Sequence, residues 1–316
     1  MSSHIHIIAS CTDRKRRGKA VPLRLGDIPK GSRRLESWWT ALSSDPSPKL
    51  TATDLYVGDL WSVTCDLPLV AQHAWQVAYL WVASAGYGLV PADAVLVPYS
   101  ATFRRGVADS VHVGAAAEAA GALQSWWEGL AKHPGPVAGA PRRIMHLAER
   151  SPRSTILVVA SPMYLTAMAN DLVETRAALS SPDRLVIVSS GLTPDAAILE
   201  ENLVQSVAEL QHLVAGGRTS LHARVARKLL EALPPEHLNA PTAQAMCADW
   251  VRACPSLKQY DREKQRDVQV LQFIRSRLTQ EPSLSHSRLL RELRASGRAC
   301  EQGRFRELYL SVKPTS

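Results

Sequence analysis

The sequence has no apolar run long enough to span a bilayer. Its longest, Val77 to Ala83 and Ile156 to Ala160, fall far short of the roughly 20 residues a membrane helix needs. It has no positively charged leader followed by an apolar core, so no secretion signal is expected. Its five cysteines are odd in number and irregular in spacing, and Cys247 and Cys254, seven apart, make no CxxC pair. That usage fits a reducing compartment rather than a disulfide framework. The phosphate-loop pattern GxxxxGK[ST], the zinc motif HExxH, the GxSxG elbow and a GxGxxG opening a helix are all missing. His4 and His6 share a strand face, but no regularly spaced third ligand accompanies them, so no metal and no other cofactor is expected. The expectation is a cytoplasmic protein with no membrane partner.

What the chain does have is an uneven excess of base. The net charge is +8 over 316 residues. Residues 1–217 carry 19 Lys and Arg against 19 Asp and Glu, and residues 218–316 carry 18 against 10. Within the balanced part, residues 13–34 hold nine bases and two acids. Two basic regions on a neutral body predict a polyanion lying across both, against the alternative of a solubilising basic tail.

Apolar runs followed by loops set the organisation. Ile5 to Ala9, Tyr79 to Ser84, Ser154 to Ser161 and Leu185 to Ser190 read as strands, and Tyr164 to Leu179 as a helix. Strands that are apolar on every side chain predict a parallel sheet covered on both faces. Asp66 to Tyr79 and Ala115 to Lys132 read as further helices, and Trp38, Trp39, Trp126 and Trp127 as packing residues. Gly216-Gly217 punctuates the chain, and only helices are expected beyond it. The fold class is therefore α/β: a Rossmann-like, mainly parallel sheet domain over 1–214, then a basic helical domain over 218–316. In the latter, Leu289, Leu290 and Leu293 share one face and Arg288, Arg291, Arg294 and Arg298 the other. A short turn before this helix, with an N-cap candidate in Ser283 or Ser285, gives a helix-turn-helix-like reading, with a solvated helical bundle as the alternative.

Four loops carry polar residues where strands end: Ser10-Cys11-Thr12-Asp13, Ser84 to Leu89, Ser161 to Tyr164, and Ser189 to Leu192. In a parallel sheet they fall on one edge and are expected to line one cleft. Cys11, beside Asp13, Arg14 and Lys15, is a candidate nucleophile, because a thiol among cations is favoured as the reactive thiolate. The alternative is a small buried hydrophobe. Ser84, Gly86 and Gly88 suit a backbone nest for an anion, and Tyr87 and Tyr99 suit stacking on a planar ring.

Taken together, Ser10 to Lys15, Asp54 to Trp61, Ser84 to Val90 and Val97 to Ser100 resemble, in order and spacing, the YaaA-like superfamily, over roughly residues 5–105. That group includes a domain of archaeosine synthase. Within it the arrangement is most similar to the DpdC family, of the bacterial system that places 7-deazaguanines in DNA. The resemblance implies an enzyme acting on DNA, with other proteins of that modification system as partners. The implied step converts the 7-cyano group of a 7-deazaguanine (preQ0) to the carboxamide, a nitrile hydration. Its alternative implication is a DNA-binding stress-protection protein without covalent chemistry. A hydrolase or transferase that breaks a nucleoside bond, using Asp13 or Asp59, is a third reading.

For the hydration, Cys11 is the expected nucleophile, activated by Lys15 or Arg14, with Asp13 moving the proton. Backbone N–H groups near Ser84 to Gly88 would hold the developing anion. Ser10, Thr12, Ser84, Tyr87, Gly88, Tyr99 and Ser161 are the expected substrate contacts, for a base extruded from the stack. Arg14, Arg16, Arg17, Arg104, Arg288, Arg291 and Arg294 are the expected phosphate contacts.

Overall fold

The structure, a computed structural model, describes residues 4–16, 22–256 and 261–313. Arg17, one of the expected phosphate contacts, lies outside the described residues. The chain forms two compact units, 1–255 and 256–316.

The first unit is α/β and is built on a six-stranded sheet. Its strands are β1 (His4–Ser10), β2 (Val77–Ser84), β3 (Gly88–Pro91), β4 (Thr155–Val159), β5 (Leu185–Ser189) and β6 (Leu203–Gln205). Their spatial order is β6-β5-β4-β1-β2-β3, parallel throughout except for the β2–β3 hairpin. The order reverses between β1 and β4, which are direct neighbours. In doubly wound sheets ligands bind outside the carboxyl ends of the strands at this reversal.

Alternation along the central strands explains why they are apolar on both faces. Ile5, Ile7, Ala9, Leu157, Val159, Val186 and Val188 belong to one core. Ile8, Ile156, Val158, Leu185 and Ile187 belong to the other. The first core is covered by α2 (Asp59–Ala71) through Val63, Leu67 and Ala71. The second is covered by α1 (Arg34–Ser44), α3 (Ala119–Ala131) and α5 (Pro162–Ala178), with the short α4 (Met145–Arg150) against α5. Trp38, Trp126 and Trp127 are buried there, as their reading as packing residues requires.

Gly216-Gly217 is not the boundary between the units. Beyond it, α6 (Leu221–Ala232) and α7 (Ala240–Ala253) join the first unit. The reason is burial. α6 puts Leu221, Val225, Leu229 and Leu230 into the sheet core, each contributing about 1.5–3 kcal/mol. The expected helix over Asp66 to Tyr79 is also displaced. The helix is α2, it contains Pro68, and β2 already begins at Val77.

Among the described residues the second unit has three helices, α8 (Asp267–Gln280), α9 (His286–Ala295) and α10 (Gln302–Val312). They enclose Val270, Ile274, Leu284, Leu289, Leu290, Leu293, Phe305 and Tyr309. Ser285 caps α9, its hydroxyl accepting from the Arg288 N–H at 3.3 Å, as its composition suggests. Against the expectation of helices alone, a two-residue strand pair too short to show in the sequence, Glu263–Lys264 with Arg298–Ala299, closes the unit. No helix among the described residues is long and apolar enough to cross a membrane.

Candidate active site

Cys11 follows β1 directly, and its N–H still donates to the Ala83 carbonyl at 2.9 Å. Its side chain therefore sits at the carboxyl edge of the sheet, on the reversal between β1 and β4. A cleft of about 590 Å³ opens there. Ser10, Cys11, Thr12, Asp13 and Arg14 line it from the β1 loop, and Ser161, Met163 and Tyr164 from the start of α5. The remaining wall comes from Val57 to Leu60, Thr102, Arg104, Thr219 and His222.

The thiol is nearly enclosed, 6% exposed, but it is not packed against hydrocarbon alone. The Tyr164 hydroxyl lies 3.0 Å from Cys11 Sγ and the Tyr99 hydroxyl 3.7 Å. Tyr99 continues the contact inward, to the Tyr56 hydroxyl at 2.9 Å and Ser84 Oγ at 2.6 Å. Ser84 Oγ in turn accepts from the N–H groups of Gly86 and Tyr87, at 3.2 and 3.0 Å. The result is a buried chain of one thiol, three phenols and an alcohol. Burial pushes the phenols of Tyr56, Tyr99 and Tyr164 well above their ordinary range. All three stay protonated, so each hydroxyl has one proton to share along the chain.

Several expected roles are reassigned by this geometry. Lys15 feels the charge of Cys11 without hydrogen-bonding to it. Its ammonium sits 4.4 Å over the Tyr99 ring and 5.6 Å over Tyr56, and donates to the Thr12 carbonyl at 3.4 Å. Tyr87 and Tyr99 do not offer ring faces to a base, because they are 5% and 1% exposed. The Tyr87 hydroxyl accepts from the Val97 N–H at 3.0 Å, and Tyr99 is wedged by the edges of Trp38 and Tyr87. Backbone N–H groups of the Ser84–Gly88 loop do not face the cleft. They close the β2–β3 hairpin and hold Ser84 Oγ, and Gly88 takes the turn's positive φ of 74°. The Thr12 hydroxyl is spent locally, on the Arg14 and Val57 carbonyls.

Only two of the four loops expected to share the cleft therefore do so, those after β1 and β4. The hairpin makes Ser84 to Leu89 part of the support behind the thiol, and the Ser189 loop follows β5, one strand further from the reversal. Asp13, Arg14 and Arg104 are exposed on the cleft wall, Arg16 is exposed nearby in the chain, and Ser161 stands at the N-cap of α5. Asp59 is engaged elsewhere. The Ser220 hydroxyl and then Arg224 hold its carboxyl below the usual range, which ties α2 to the start of α6.

In the second unit, Arg288 and Arg291 are exposed. Arg288 ion-pairs with Glu281 and Glu292 at 3.6 Å, pairs of little worth in water. Arg294 is half-buried and donates to the Cys300 carbonyl at 3.2 Å, so part of its role is structural. Together with Arg262, His286 and Gln302, Arg291 and Arg294 line a cavity of about 490 Å³.

Sequence reasoning missed three side chains here. Tyr56 and Tyr164 meet the thiol system only through the fold, although both lie within motifs that had been singled out. His222 lies on α6, and burial holds it neutral, with a pKa lowered to about 4. No family model, no curated protein and no solved structure matches this chain.

Proposed function

We propose that the chain is a thiol-dependent enzyme that hydrates the nitrile of a 7-cyano-7-deazaguanine base carried in DNA, giving the 7-carboxamide. The observation that carries this reading is the contact of Cys11 with Tyr164 at the floor of the cleft, at the reversal point of the sheet. The choice of substrate comes from the motif resemblance, and the cleft volume suits a planar bicyclic base.

The steps balance with these residues. Cys11 Sγ attacks the nitrile carbon, a carbon–sulfur bond forms, and one carbon–nitrogen π bond opens. The thiol proton passes to Tyr164 as the Tyr164 hydroxyl gives its own proton to the nitrile nitrogen. The product of this half-reaction is a thioimidate. Water then adds across its carbon–nitrogen bond, with Asp13 on the wall as the acceptor that orients it. One water proton ends on nitrogen. The carbon–sulfur bond breaks, the second returns to sulfur, and the carboxamide leaves. The Tyr99, Tyr56 and Ser84 hydroxyls keep Tyr164 and Cys11 supplied with a shared proton network. Arg14 and Arg104 at the cleft, and Arg288 and Arg291 on a helix-turn-helix-like second unit, are the phosphate contacts of this reading.

A second reading, DNA binding without covalent chemistry, is favoured by the low exposure of Cys11. Replacing Cys11 with Ser separates the two. The enzyme reading expects turnover on cyano-deazaguanine DNA to be lost while DNA affinity is kept. Native turnover by Cys11→Ser rejects the thiol mechanism.

A further inference from the structure

We infer that a side pocket opening off the cleft is a phosphate subsite, built around the ammonium of Lys15. The pocket measures about 240 Å³ and is lined by Asp13, Lys15, Arg24, Ser100, Thr102, Arg104 and Asp109. Asp13, Thr102 and Arg104 also line the main cleft, so the two spaces are contiguous.

The charges do not close within the protein. Asp109 is fully engaged: it accepts from the Gly26 N–H at 3.0 Å, from Ser100 Oγ at 2.7 Å and from Arg24 at 3.1 Å. Arg24 and Asp109 therefore neutralise each other. What remains is Lys15 and Arg104 against one exposed carboxylate, Asp13. The Lys15 ammonium is largely removed from water, and burial pushes its pKa down, partly offset by Cys11, Asp13 and Asp109. Yet among the described residues its hydrogen bonding is limited to the 3.4 Å contact with the Thr12 carbonyl, and no carboxylate lies within ion-pair distance of it. The rings of Tyr99 and Tyr56 supply the rest of its surroundings. A cation desolvated with so few partners is costly unless an anion completes it.

One singly charged group with several oxygens restores the balance. Lys15 offers its ammonium donors and Arg104 its guanidinium fork. Thr102 Oγ1 accepts from the Arg104 N–H at 3.1 Å and has its own proton left to give. A phosphodiester or phosphate fits this chemistry. The nucleotide would then bridge the two spaces, base in the larger and phosphate in the smaller. The site itself rests on geometry and charge, and only the source of the phosphate, a DNA backbone, rests on the proposed function.

The test uses the full chain and a fluorescent single-stranded oligodeoxynucleotide with unmodified guanine, titrated at several salt concentrations. The variants are Lys15→Met and Arg104→Ala, the second at an exposed side chain. Inorganic phosphate serves as competitor. Each variant is expected to weaken binding about tenfold and to flatten the log–log salt slope by about 0.7. Phosphate is expected to compete on the native chain and lose effect on the variants. Native affinity and slope in both variants overturn the subsite, whatever the hydration assay shows, as does a native chain that binds neither oligonucleotide nor phosphate. If phosphate alone binds, the subsite stands with free phosphate as its ligand, and the DNA reading falls. If both ligands bind through these residues but cyano-deazaguanine DNA is unchanged, the subsite stands and the hydration proposal falls.

Discussion

Replacing Gly86 with Ala should damage the thiol site without touching it. A Cβ on Gly86 would lie 2.7 Å from Tyr99 Cδ2 and 3.0 Å from Cζ, and nearer still to Cε2. Tyr99 is 1% exposed, its hydroxyl is fixed by Ser84 and Tyr56, and its ring is held by the edges of Trp38 and Tyr87. It cannot yield without breaking one of those contacts. Forcing one methyl into such a core costs about 1–3 kcal/mol. For a unit of this size that lowers Tm by roughly 2–12 °C. The assay is thermal unfolding followed by tryptophan fluorescence, which reports on the first unit alone because all eight tryptophans lie before residue 256. Gly121→Ala is the control: it lies within α3, nothing stands within 4 Å of its Cβ, and it should stabilise by about 0.5–1 kcal/mol. A Gly86→Ala protein with native Tm would refute the packing argument. One with lowered Tm and native turnover would refute the link from Tyr99 to Cys11.

Tyr164→Phe removes the hydroxyl on the thiol while keeping the ring that packs edge-on to Phe103. Folding should weaken by only about 1 kcal/mol, whereas turnover should fall about 10²-fold or more; equal small losses in both would remove Tyr164 from the proton path. Acid should destabilise the first unit early. His6, through burial and then His4, and His222, through burial, have pKa values lowered from 6.5 to about 4. The unfolded chain therefore binds more protons below pH 6.5. Stability is full above 6.5 and is lost as pH falls toward 4, by up to about 1.4 kcal/mol per pH unit for each histidine. Urea midpoints at pH 7, 5.5 and 4.5 measure this, and His222→Leu should flatten the fall; an unchanged slope would contradict it. Changing Arg288, Arg291 and Arg294 together to Ala should weaken DNA binding and flatten its salt dependence, most strongly through the exposed Arg288 and Arg291, and an unchanged slope would remove the second unit from the DNA path.

Much of the sheet was legible because its strands obey one rule. Ile7 to Ala9, Ile156 to Val159 and Leu185 to Val188 are apolar at every position, as strands covered on both faces require. The edge strands β3 and β6 carry no such signal, being four and three residues long. The unit boundary was misplaced because Gly216-Gly217 breaks the helix pattern locally, while the burial of Leu221, Val225, Leu229 and Leu230 is a tertiary effect. At the site, the position of Cys11 followed from strand 1 alone. The surroundings of its thiol did not, since Tyr56, Tyr99 and Tyr164 are 43 to 153 residues apart from one another or from Cys11 along their contacts. A tyrosine beside a glycine reads equally well as a stacking platform or as a packed phenol. Only the burial of Tyr87 and Tyr99 decides for the latter.

The central claim is that Cys11 and Tyr164 add water to a nitrile on a base in DNA. Its most direct test is mass spectrometry of the nucleosides released from 7-cyano-7-deazaguanine DNA after incubation with the full chain. The account predicts a nucleoside heavier by one water, formed by the native protein and absent with Cys11→Ser. An unchanged cyano nucleoside after incubation with native protein that binds the DNA would contradict it.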